Sequence, residues 1–132
     1  MPKIRHIAYR ANDVEGMANF FTTALSMTIV QQRKNGAIDL SDGTMNITLL
    51  PLTGRRTDGA AQKQGIDHIG FMVENEEETT RCLEAAGAEK LDPAGYSQTA
   101  NFETKFRGPE GIGIDLGHWI GAAPLDEDPA GK

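Results

Sequence analysis

The sequence predicts an α+β fold of two tandem βαβββ modules, and three observations carry that prediction. First, Ile4-Arg5-His6-Ile7-Ala8-Tyr9 returns further along as Ile66-Asp67-His68-Ile69-Gly70-Phe71, each copy a short apolar run with histidine in its third position. Second, each copy leads into an Asn-containing acidic step followed by apolar residues at helical spacing. Third, short strand-like segments separated by turn residues follow each helix. Internal repetition usually marks a supersecondary unit that cannot bury its apolar face alone. Each half of this 132-residue chain is marginal in size by itself, so the halves are expected to share a sheet or to pair with a second chain.

The elements follow in order. Ile4–Tyr9 reads as a strand with Ile4, His6 and Ala8 on one face and Arg5, Ile7 and Tyr9 on the other. Asn12, with Glu15 three residues on, offers a helix cap. Val14, Met17, Ala18, Phe21, Ala24 and Leu25 then form one helical stripe. Thr28–Gln32, Ala37–Leu40 and Met45–Leu50 are strands, with Asn35-Gly36 and Asp42-Gly43 as the turns between them. The polar segment Thr53–Gln64, basic at Arg55 and Arg56, reads as a linker between module one (residues 3–52) and module two (residues 65–121). Module two opens with the strand Ile66–Val73. Asn75 and Glu78 repeat the cap spacing, and Thr79, Cys82, Leu83 and Ala86 give a stripe closed by Gly87. Glu89–Leu91, Phe102–Arg107 and Ile112–Leu116 are the remaining strands. Ala122–Lys132, rich in Pro, Asp and Ala, is expected to be a flexible tail beyond a single domain of residues 1–121.

Composition narrows the function. A net charge of −6 and pI near 5.0 argue against nucleic acid and anionic membrane surfaces as partners. One cysteine excludes an intrachain disulfide framework and suits a reducing, cytoplasmic setting. No apolar stretch reaches spanning length, and Met1-Pro2-Lys3-Ile4 leads straight into a strand without a signal-like run.

Three segments in sequence, IRHIAYRANDVEGMANFF, IDHIGFMVEN and KFRGPEGIGIDLGHW, resemble the vicinal oxygen chelate superfamily of glyoxalases, bleomycin-resistance proteins and extradiol dioxygenases. The resemblance covers about residues 3 to 120. It implies two βαβββ modules whose curved mixed sheet encloses an open cleft with a divalent metal inside, and it suggests a homodimer.

His6 and His68 are the first two candidate metal ligands. Histidine occurs only three times, and packing alone gives no reason for a polar residue to recur at one pseudo-symmetric position. Ala8 and Gly70 lie one step along the same faces and leave space there. Asp115, between Ile114 and Leu116, is the third candidate, because a carboxylate backed by two core side chains is costly unless paired or metal-bound. The family usually carries Glu at this position, so Asp115 is a departure. Two His and one carboxylate suit Fe, Mn, Co, Ni or Zn and leave positions open for substrate.

The family's fourth ligand position aligns with Thr48, a poor ligand, where glyoxalase-type enzymes carry Glu. That vacancy resembles the extradiol dioxygenases or the fosfomycin-modifying thiol transferases, although the phosphonate-holding Arg and Ser cluster of the latter has no match after Asp115. His118 is a candidate acid or base if Gly117 bends the strand, and Trp119 reads as a packing residue. If Gly108-Pro109-Glu110-Gly111 forms the last turn, Arg107 pairs with Ile112. Thr104 then faces Asp115, so Phe102, Thr104 and Phe106 line the cleft, with Tyr96 in a loop over it. Two functions fit: a metal-dependent enzyme acting on a small substrate bound through vicinal oxygens, more dioxygenase-like than glyoxalase I-like, or a non-catalytic small-molecule (antibiotic) binding protein.

Overall fold

In the computed structural model, which describes residues 1–52, 63–91 and 103–125, ten elements of regular structure follow the predicted order. Module one contains β1 (Lys3–Ala11), α1 (Val14–Leu25), β2 (Thr28–Gln32), β3 (Ile38–Ser41) and β4 (Asn46–Pro51). Module two contains β5 (Gly65–Met72), α2 (Glu76–Ala85), β6 (Glu89–Lys90), β7 (Thr104–Arg107) and β8 (Gly113–Leu116). The eight strands form one open mixed sheet in the order β2-β3-β4-β1-β5-β8-β7-β6. Each repeated strand pairs in parallel with the last strand of its own module, β1 with β4 and β5 with β8. The two repeated strands pair antiparallel with each other, joining the modules at the centre of the sheet. Among the described residues no helix is long and apolar enough to cross a membrane.

Strand alternation divides the sheet into two faces. One face carries the helices. Val14 and Ala18 of α1 are buried against Ala11, Ile38, Leu40 and Leu49, with Tyr9, Met17, Phe21 and Ile47 packed around them. The expected stripe runs out after Phe21, since Leu25 is 60% exposed. Helix α2 contributes no buried residue; Leu83 is only half-buried and Cys82 is exposed. Among the described residues no helix lies over the other, inner face, yet Ser41, Asn46, Thr48, His6 and Asp115 are all buried there. Residues 119–125 help to cover it by crossing back over module one. Ser41 Oγ donates to Gly121 O at 2.7 Å, and Ala123 N donates to Thr44 O at 2.9 Å.

The local signals mostly act as expected. Asn75 caps α2 by accepting from Glu78 N at 3.0 Å, and Gly36, Gly43 and Gly87 take the positive φ their turns require. The cap of α1 is Asp13 rather than Asn12: Asp13 Oδ1 accepts from Gly16 N at 2.9 Å, so the helix starts one residue later than the Asn12–Glu15 spacing implied. The linker at 53–64 lies mainly outside the described residues, as do Tyr96, Phe102 and residues 126–132 of the expected tail. Residues 122–125, expected to belong to that tail, are instead held on the domain, with Ala123 buried and its carbonyl accepting from Arg5 Nε at 3.0 Å.

The last hairpin corrects an expectation. Pro109–Gly111 forms a 3-10 turn in which Glu110 and Gly111 both take positive φ, and Arg107 pairs with Gly113 rather than Ile112. A one-residue shift sends every side chain to the other face. Lys105, not Thr104, therefore stands opposite Asp115. Phe106 is fully buried opposite Ile114, and Thr104 reaches the Glu76 carboxylate at the start of α2. Neither Thr104 nor Phe106 lines the inner face.

Candidate metal centre

Both histidines arise from the same local device. A register irregularity between Ile4 and His6 lies at Arg5, and one between Ala8 and Tyr9 lies opposite Asp67, the residue before His68. Such bulges re-aim side chains. Their outcome is a matched pair of imidazoles at the module junction, with His6 Nε2 and His68 Nε2 3.0 Å apart. His68 Nε2 also stands 3.1 Å from Asp115 Oδ2.

The remaining ring nitrogens fix the tautomers. Asn46 lies opposite His6 in the parallel β1–β4 ladder. Its Nδ2 donates to Ile120 O at 2.9 Å, which turns Oδ1 towards His6 Nδ1 at 2.6 Å. His6 Nδ1 therefore carries the proton. On the other ring, His68 Nδ1 donates to Asp67 Oδ2 at 2.8 Å, and Arg10 Nε donates to the same carboxylate at 3.3 Å. Burial opposes the ionised form of Asp67, but the His68 hydrogen bond and charge and the Arg10 guanidinium outweigh it and hold the group well below the usual carboxylate range.

With both Nδ1 protons committed, two neutral rings would aim Nε2 lone pairs at each other in a buried site. That arrangement calls for a cation between or beside them, a proton or a metal ion. Ligands about 2.1 Å from one ion stand about 3.0 Å apart at right angles, which matches the spacing of His6 to His68 and of His68 to Asp115. The His68–Asp115 side of this donor set could hold a divalent metal, and His6 reaches it only through the Nε2 contact with His68.

Burial, followed by the neighbouring His68, lowers the His6 pKa to about 3. The unfolded chain takes up a proton on this group below about pH 6.5 while the folded metal-free protein does not, so stability should fall as pH drops from about 6.5 towards about 3. A His6→Gln variant should lose less stability than the parent protein between about pH 7 and about pH 4.5 by urea denaturation. Equal losses would show that His6 does not carry this effect.

The carboxylate side holds more than Asp115. Glu103, which precedes β7, joins His68 and Asp115 in a group whose ligand atoms all lie within 4.8 Å of one another. Lys105 Nζ contacts Asp115 Oδ2 at 2.5 Å and Glu103 Oε2 at 2.9 Å. Burial pushes the Asp115 carboxyl up to about 6, against the opposing pull of His68 and Lys105. Burial would lower the Lys105 pKa, but the charges of Asp115 and Glu103 reverse that and raise it. Trp119 Nε1 donates to Glu103 Oε1 at 3.0 Å, and the indole stacks on His6 with centroids 4.6 Å apart and planes 6° from parallel. The space expected above Gly70 is filled by this ring: a Cβ there would lie 2.6 Å from Trp119 Cζ2 and Cη2. His118 itself is exposed, so the chain turns Trp119 inward in its place.

Module symmetry locates Thr48. Ala8 pairs with Thr48 as Gly70 pairs with Asp115, so Thr48 occupies the counterpart of the Asp115 position. Its hydroxyl donates to Asp39 Oδ1 at 2.5 Å. Asp39, fully buried, is gripped by Arg33 Nε and Nη2, each at 2.9 Å. The fourth position is thus tied into a polar network that reaches His6 through Asn46, whose Oδ1 lies 3.0 Å from Thr48 Oγ1 and 2.6 Å from His6 Nδ1.

The sequence singles out His6, His68 and Asp115, which the structure brings side by side, and gives no notice of Asn46, Asp67, Glu103 and Lys105 around them. The parallel pairing of β1 with β4, placing Asn46 beside His6, is the signal that could have found the first. The acidic residue immediately before His68 is the signal for the second.

Two βαβββ modules joined through matched histidine strands define the vicinal oxygen chelate fold. The chain belongs to the Glyoxalase/Bleomycin resistance protein/Dioxygenase superfamily, whose family model matches residues 3–116. Methylmalonyl-CoA epimerase from Mycobacterium tuberculosis superposes with a TM-score of 0.65 at 17% identity, over 92% of this chain and 88% of that one. The 2,3-dioxygenase LapB from Pseudomonas sp. KL28 gives a TM-score of 0.66 at 19% identity, over 96% of this chain but 46% of that one. BphC, a halotolerant catechol dioxygenase, gives 0.63 at 20% identity, over 87% of this chain and 38% of that one. The chain therefore spans less than half the length of these two dioxygenases. No curated protein matches it in sequence.

Proposed function

We propose that the protein is a metal-dependent enzyme in which His6, His68 and Asp115 hold a divalent ion that binds a small substrate through two neighbouring oxygens. The observation that carries this reading is the pair of Nε2 atoms 3.0 Å apart with both Nδ1 protons already committed. The ion, one of Fe, Mn, Co, Ni or Zn, supplies Lewis acidity and open positions for the substrate oxygens. The chain's own residues do the rest. Asn46 and Asp67 orient the imidazoles, Trp119 shields His6, and Glu103 offers a second carboxylate beside Asp115.

Thr48 decides between reaction types. It stands where the glyoxalase reaction places a carboxylate that also carries a proton, and its hydroxyl is spent on Asp39. The chemistry should therefore lean towards the dioxygenases, with two or three adjacent metal positions left exchangeable. Catechol-like and α-hydroxycarbonyl compounds are expected to change the visible spectrum of the Co(II)-loaded protein, while thiol hemiacetals are turned over poorly. Robust glyoxalase turnover, or a Co(II) spectrum indifferent to every chelator, would contradict this.

A second reading, a binding protein without catalysis, draws on the ion pair of Lys105 with Asp115, which already supplies that carboxylate with a partner. Metal analysis of protein purified without an affinity tag separates the two. One equivalent per chain favours the enzyme, and none favours the binding protein.

A further inference from the structure

Lys105 is the feature of the site that a set of three metal ligands does not explain. It projects from β7 onto the inner face, directly opposite Asp115 in the β7–β8 ladder. Its ammonium lies 2.5 Å from Asp115 Oδ2, the same oxygen that stands 3.1 Å from His68 Nε2. It also lies 2.9 Å from Glu103 Oε2. The side chain is 19% exposed, against 2% for Asp115 and 10% for Glu103, so the cation lies nearer solvent than the carboxylates it pairs with.

Module symmetry sharpens the point. Asp39 pairs with Thr48 as Lys105 pairs with Asp115. Module one thus pairs its neutral Thr48 with an acid on the neighbouring strand, which Arg33 neutralises. Module two instead sets a cation opposite the carboxylate of the proposed centre. Two buried carboxylates side by side repel and are costly to desolvate, and the Lys105 ammonium offsets that cost without any ion present.

We propose that Lys105 is a tethered cation that neutralises Asp115 and Glu103 in the metal-free protein, and that a metal must displace it from Asp115 Oδ2 to bind. The inference rests on the metal-binding reading above, and it adds that lysine and metal compete for one oxygen. Asp115 Oδ2 cannot keep a metal at bonding distance and an ammonium at 2.5 Å without the two cations meeting at close range. Lys105 thereby sets the affinity of the centre and keeps it assembled when empty.

The test is a Co(II) titration of the whole chain, read by competition with a chromophoric chelator, on the parent protein, Lys105→Met and Lys105→Arg. Lys105→Met should bind Co(II) about 10- to 100-fold more tightly, the scale on which groups next to a metal's ligands tune affinity. It should also show a lower melting temperature without metal and a larger rise on adding it. Lys105→Arg, which keeps the charge, should stay closer to the parent. A second readout needs no variant: Lys105 should be acetylated faster by an amine-directed reagent, measured by mass spectrometry, when Co(II) is bound. Equal or weaker Co(II) binding by Lys105→Met, or an acetylation rate unmoved by Co(II) in a parent protein that binds it, overturns the competition alone. Absence of Co(II) binding in both the parent and Lys105→Met overturns the metal reading and this inference together.

Discussion

His68→Ala is expected to abolish stoichiometric metal binding while the far-ultraviolet circular dichroism stays close to that of the parent protein. His68 is the hinge of the centre, since its Nε2 lies 3.0 Å from His6 Nε2 and 3.1 Å from Asp115 Oδ2. Removing it leaves the other two donors without the group that bridges them. His6→Ala should have the same effect on the metal, with an added structural consequence because the indole of Trp119 loses the ring it stacks on. Asn46→Ala should be milder, in the range of about 10- to 100-fold in affinity, because it removes the partner that orients His6 rather than a ligand. Chelator competition on the three variants checks that order. Full metal content in both histidine variants would show that the ion, if bound, is held elsewhere.

Gly70→Ala should damage the site as severely through packing alone. Gly70 pairs with His6 on one side and with Asp115 on the other, at the floor of the centre. A methyl group there would lie 2.6 Å from two atoms of the Trp119 ring and 2.8 Å from His6 Cβ, distances no packed structure tolerates. The strand cannot move without shifting both pairings, so the indole must leave. Its stacking on His6 and its hydrogen bond to Glu103 then go together. Overpacking of this kind costs about 1–3 kcal/mol, and the loss should appear in denaturant unfolding alongside weakened metal binding. Trp119→Leu placed on top of Gly70→Ala should recover part of the stability, because the ring accounts for part of the clash while the His6 Cβ contact remains. Strict additivity of the two substitutions would contradict the contact.

The fold was legible because its signals are local or repeated. The cap at Asn75, the turn glycines and the duplicated histidine strand each depend on a few neighbouring residues, and the order of elements follows from them. The histidines were legible for the same reason, since a repeated polar residue in an apolar strand has no packing explanation. The carboxylate side was only half legible. Asp115 stands out between two core residues, but Glu103 and Lys105 depend on hairpin register, which turn composition alone did not fix. The 3-10 turn at Pro109–Gly111 takes up one residue more than a four-residue turn, and that residue decides whether Lys105 or Thr104 faces Asp115. Trp119 was read as packing, and it does pack. What stayed hidden is that it packs on a candidate ligand, because the path of residues 119–125 back over module one is set by long-range contacts such as Asn46 with Ile120.

The most direct measurement is anomalous diffraction from crystals of the Co(II)-loaded protein, recorded on both sides of the cobalt absorption edge. One strong anomalous peak per chain is expected, about 2.1 Å from His6 Nε2, His68 Nε2 and one Asp115 oxygen, with the Lys105 ammonium moved away from the 2.5 Å contact it makes without metal. A protein that loads Co(II) in solution yet shows no peak between the two histidines, or shows its peak only at exposed groups such as His118, would contradict it.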